Sequence, residues 1–212
     1  MSSGEEGGIL VRFINKLPKS NPTVHLELIN NKWMPLREPK NVISAILVST
    51  PLMIIAALIS IWIIKMISSI SLNEFGFTQS KFEFTFNLNL IVWLFVLVVI
   101  HELIHLIFIP NFIKSEKTYV GMMLFGGFVI TEEEISKSRY MIITIAPFVI
   151  ISIILPLLLS MLGLLTTTMK FLIILNAMAS SVDLLNLLLI MKQVPKKAII
   201  KNNGPNTYWK EP

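Results

Sequence analysis

Four apolar runs divide the chain, at about Val42 to Ile64, Leu90 to Pro110, Tyr140 to Leu164 and Phe171 to Met191. A helix of roughly 20 such residues crosses the hydrocarbon core of a bilayer, so each run predicts a transmembrane helix. Pro51, Pro147 and Pro156 fall inside these runs, where neighbouring helices can satisfy the carbonyls they release. Shorter patterns lie outside the spans. Val24 to Leu28 alternates and predicts a short strand, and Trp33 to Pro39 reads as an interfacial segment with Trp at headgroup level. Lys81 to Phe86 alternates as well and fits either a strand or an aromatic belt. Tyr119 to Thr131 is too short to span and carries Gly121, Gly126 and Gly127, which predicts a hairpin near the membrane. Thr131-Glu132-Glu133-Glu134 has capping-box spacing and predicts the start of the third helix. The resulting class is an all-α membrane protein of four transmembrane helices, with one β-hairpin-like segment in the second loop. Residues 1–40 form an N-terminal segment, 41–191 the four-helix domain and 192–212 a loosely ordered basic tail.

Composition agrees with that class. The 212 residues are 54% hydrophobic and 15% charged, with a mean hydropathy of +0.73, as in integral membrane proteins. The net charge of +5 comes from Lys and Arg outside the apolar runs. Nothing interleaves these cations with aromatics in a soluble domain, so they predict a lipid bilayer as partner and no nucleic acid. The N-terminal segment has no apolar stretch suited to a cleaved signal, which leaves the first span as the targeting signal. Lys and Arg are plentiful before the first span, in the second loop and in the tail, and scarce in the other two loops. By the positive-inside rule this predicts a multi-pass protein of the cell membrane with both termini cytoplasmic. Without cysteine the chain has no disulfide, thiolate ligand or cysteine nucleophile.

The chemistry sits in the second span, which contains His101-Glu102-Leu103-Ile104-His105. Residues i and i+4 share one helical face, so both imidazoles can reach one metal ion, with Glu102 beside them as a proton acceptor. Ionisable groups inside a membrane helix are costly and mark function. The lone aspartate of the chain, Asp183, lies in the fourth span on a polar stripe with Asn176, Ser180 and Asn186. The second and fourth spans run the same way, and their lengths set His101, His105 and Asp183 at similar depth, roughly 10 Å below the cytoplasmic face at 1.5 Å per residue. Two His and one carboxylate with an open position form a catalytic Zn2+ arrangement. Glu132 to Glu134 read as helix-start residues and His25 as a surface residue. The pattern predicts hydrolysis of a membrane-associated protein or peptide, with Gly126 and Gly127 in a segment able to offer an edge strand to an extended substrate. Haem or quinone binding would need histidines on opposing helices. A metal transporter or an inactive regulatory protein would keep the ligands but have no use for Glu102.

These motifs resemble the bacterial membrane proteins of the domain of unknown function 3267, described as zincin peptidases and related in motif to site-2 type intramembrane metalloproteases. The resemblance rests on Trp33-x-Pro35-Leu36-x-Glu38-Pro39, HELIH, Ser136 to Tyr140, Ala146-Pro147 and Asp183. It implies zinc on His101, His105 and Asp183, with Glu102 catalytic and Asn176 at a substrate-holding position. The run from Asn176 to Asp183 lacks the Pro and Gly of the site-2 element and sets Asn one residue closer.

Overall fold

A computed structural model describes residues 11–75, 88–123 and 126–212; the alternating stretch Lys81 to Phe86 lies outside them. The elements in order are β1 (Arg12–Phe13), α1 (Pro22–Asn30), β2 (Met34–Pro35), α2 (Val42–Ile67), a 3-10 turn (Leu72–Phe75) and α3 (Leu88–Phe108). After a second 3-10 turn (Phe112–Lys114) come β3 (Thr118–Met123), β4 (Gly126–Thr131), β5 (Ile135–Ser136) and α4 (Lys137–Val149). A π-helical stretch (Ile150–Ile154) leads to α5 (Leu155–Met161), followed by α6 (Thr167–Ala179), α7 (Ser181–Gln193), β6 (Ile199–Asn203) and β7 (Asn206–Lys210). The chain forms two compact units, one of Pro39–His101 with Thr144–Leu188, the other of the residues up to Glu38 with Glu102–Ile143 and Leu189–Pro212.

The first of these is helical. Among the described residues four helical stretches, Val42–Ile67, Leu88–Phe108, Lys137–Met161 and Thr167–Gln193, are long and apolar enough to cross a membrane. Asn41 caps α2: its Oδ1 accepts from Ser44 N at 2.8 Å, and Ser44 Oγ accepts from Asn41 N at 3.2 Å. The buried face of α2 is Ser49, Ala56, Ser60 and Ile64, and the first three are small residues that let α6 approach closely. Ala56 packs with Phe148 and Ala177, while Ser49 Oγ lies 3.3 Å from Ser181 Oγ. Its exposed side chains are large and apolar, among them Leu47, Leu58, Trp62, Ile91 and Phe95. The fourth stretch is broken: α6 ends at Ala179, Ser180 donates both its N–H and its hydroxyl to Asn176 O, and α7 restarts at Ser181. Asp183 therefore sits in a first helical turn rather than in mid-helix.

The other unit carries two small sheets, so all-α is too narrow a class for a mostly helical chain. One sheet has the order β1-β3-β4, with β1 parallel to β3 and the β3–β4 hairpin in the register Thr118↔Thr131 to Met123↔Gly126. The second has the order β2-β7-β6-β5, antiparallel at every pairing. The expected loose tail is thus a hairpin, turned at Gly204, whose φ of +58° suits glycine. Ile200 and Tyr208 anchor it: Ile200 packs with Leu36, Ile190, Val194 and Ala198, and Tyr208 packs with Leu28 and Trp33.

That packing also corrects Trp33, which is buried among these side chains rather than placed on an exposed interfacial segment. Val24 to Leu28 is helix, because Asn21 caps Thr23 N and Pro22 occupies the first turn. Thr131 ends a strand instead of starting a helix. Its hydroxyl accepts from Thr118 and from Glu133 N, Ile135 pairs with Ile200, and α4 begins only at Lys137.

Candidate metal centre

Helix α3 carries His101 and His105 one turn apart, and each is fixed through its Nδ1 by a different kind of partner. His101 Nδ1 lies 2.9 Å from Asn176 Oδ1. Its Nε2 faces Asp183, 3.3 Å from Oδ2. His105 is buried, with Nδ1 2.8 Å from Ile143 O. That carbonyl is available for a sequence reason: its helical partner four residues on is Pro147, which has no N–H. A carbonyl oxygen only accepts, so His105 donates from Nδ1 and Nε2 is its ligand atom. The prolines expected merely to be tolerated in the spans thus include one that orients a histidine.

His101, His105 and Asp183 are the group among the described residues whose side chains are able to hold a metal ion. Two imidazole nitrogens and a carboxylate oxygen are a donor set that zinc accepts. Asp183 belongs to a first helical turn, where the orphan N–H groups of the helix favour a carboxylate.

Glu102 follows His101 on α3 and lies against β4 of the hairpin. Gly127 makes this possible, since a Cβ built there would stand 2.8 Å from Glu102 Cδ. Gly126 has a φ of +139°, a backbone conformation that L side chains rarely adopt. Of the two glycines named from sequence, Gly127 therefore makes room for Glu102, and Gly126 serves backbone shape at the start of β4. Asn176 is 1% exposed, behind His101. His25 is remote from this chemistry in sequence and pairs with Tyr208 Oη at 2.8 Å. Glu132 accepts from Gly204 N and Glu133 from Ser115 Oγ, both structural ties of the sheets. The ring partners Asn176 and Ile143 were not foreseen as such; the Ala146-Pro147 pair was the visible signal for the second.

A family profile described as "DUF3267: Putative zincin peptidase" matches residues 94–199, half of the chain, from within α3 to the start of β6. The chain belongs to the DUF3267 family. No curated protein and no solved structure matches it. The stretch shared with DUF3267 holds the HELIH motif, the β3–β4 hairpin, Pro147, Asn176 and Asp183.

Proposed function

We propose that this chain is a membrane-embedded zinc metallopeptidase that hydrolyses peptide bonds near the cytoplasmic face. The observation that carries the reading is the pair of oriented imidazoles, one set against Asp183, with Glu102 seated over Gly127 on the same helix. The description of the family as zincin peptidases supports it. His101, His105 and Asp183 would hold the ion. Zinc, when bound, supplies Lewis-acid activation of water and of the scissile carbonyl.

Glu102 takes a proton from the attacking water as its oxygen bonds to the carbonyl carbon. It returns that proton to the amide nitrogen as the C–N bond breaks, so no other acid is required. Strand β4 presents backbone groups beside Glu102, and an extended substrate segment pairs with such an edge through main-chain hydrogen bonds. A substrate arriving as a helix must unwind first, because its own hydrogen bonds shield the peptide. The apolar exposed faces of α2 and α3 supply the membrane setting, and the loop charges the orientation.

The test is Glu102→Gln in sealed vesicles with an added unfolded peptide. Unmodified enzyme cleaves in vesicles that turn the cytoplasmic face outward and not in the opposite orientation. Glu102→Gln keeps zinc on the same sample and loses about 10²–10⁴-fold in rate. Unchanged cleavage by the variant would remove Glu102 as the base.

A further inference from the structure

Asn176 donates as well as accepts. Its Nδ2 gives hydrogen bonds to Ser152 Oγ at 2.9 Å and to Pro147 O at 3.3 Å. Ser152, itself fully buried, gives its hydroxyl proton to Ile173 O at 3.2 Å. Ser152 Oγ must therefore accept from Asn176, which fixes the amide with its oxygen toward His101. Ser152 lies in the π-helical stretch Ile150–Ile154, whose i→i+5 spacing departs from the regular helical bonding pattern after Pro147. The chain of donors runs in one direction, from His101 Nδ1–H to Asn176, from Asn176 to Ser152, and from Ser152 to the backbone.

We infer that Asn176 is a positioning residue that holds His101 as the Nδ1–H tautomer, with Nε2 directed to zinc. Its burial and its three bonds leave it no substrate contact; it acts through His101. The inference rests on the zinc reading above. Partners of this kind behind a ligating histidine typically change metal affinity by 10–100-fold.

The experiment is zinc affinity of the purified full chain in detergent, by competition with a chelator, for three proteins. Asn176→Ala should bind zinc 10–100-fold more weakly. Asn176→Asp loses the donors but keeps an oxygen for Nδ1–H, and should stay within about threefold, as a carboxylate–histidine–zinc triad does. Asn176→Asp falling as far as Asn176→Ala overturns the inference, because an oxygen facing Nδ1–H would then make no difference. So does unmodified affinity in Asn176→Ala. A measurement on the unmodified zinc-loaded protein covers the case in which variants fail to fold: imidazole nitrogen NMR should show a proton on His101 Nδ1, and a proton on Nε2 contradicts the assignment. Absence of zinc binding by the unmodified chain would instead defeat the zinc reading itself.

Discussion

The two units of this chain solve burial in opposite ways. In the helical unit many large apolar side chains are exposed, while Ser49, Ser60, Ser152, Asn176 and Ser180 are buried beside Ala56, Ile64, Phe148 and Ile173. In the sheet-bearing unit Leu28, Trp33, Ile190, Ile200 and Tyr208 are buried, and Arg12 and Glu116 stand at the surface. An apolar exterior over an interior that holds buried hydroxyls and an amide among its apolar side chains is stable where the surroundings are lipid. It also supplies a place where a hydrogen bond to a histidine is protected from competing water. The contrast teaches that the hydrogen bond on His101 belongs to the helical unit, whereas the room for Glu102 is made by a strand of the sheet-bearing one.

The sharpest way to break this comparison uses two leucines of equal exposure, Leu58 at 60% and Leu26 at 61%. Leu58 is on α2 and Leu26 on α1. Leu58→Arg should cost about 2.5–3.5 kcal/mol in membrane insertion, whereas Leu26→Arg should stay within about 0.5 kcal/mol. A glycosylation-based insertion assay measures the first, and thermal unfolding in detergent the second. Equal small effects would show that α2 faces water.

A smaller effect sharpens the description of the sheet-bearing unit. Glu38 accepts from Thr207 N at 2.7 Å and from its hydroxyl at 3.1 Å, tying the segment before α2 to β7. Burial pushes its carboxyl up to about 7, against the lowering effect of both Thr207 bonds. A folded pKa above the unfolded one means that the folded state holds its proton more tightly. The unmodified protein therefore loses stability as pH rises from about 4.5 to about 7, and is level above that. Glu38→Gln should flatten this part of the melting-temperature profile. A steeper fall in the variant would contradict the burial of Glu38.

Much of this was legible in residues. Apolar length alone marked the four helices long and apolar enough to cross a membrane, and HELIH with the single aspartate pointed to the three side chains that come together as a group able to hold a metal ion. Periodicity misled where tertiary contacts decide. The tail from Lys192 is basic and short, yet Ile200 and Tyr208 tie it into the cores around Leu36 and Trp33. Val24 to Leu28 fits both a two-residue and a helical repeat, and the cap at Asn21 decided for the helix. Asn176 looked like part of a polar stripe. Its side chain bonds to His101 on α3 and to Ser152 in the π-helical stretch, partners far away in sequence that no local pattern announces.

The central claim is that His101, His105 and Asp183 hold the zinc. Metal analysis of the purified protein beside its Asp183→Ala variant tests it most directly, with far-UV circular dichroism confirming equal helix content. The unmodified protein should carry close to one zinc per chain and the variant should lose most of it, because three protein ligands leave none to spare. Full zinc retained by Asp183→Ala, or none in either protein, would contradict the account.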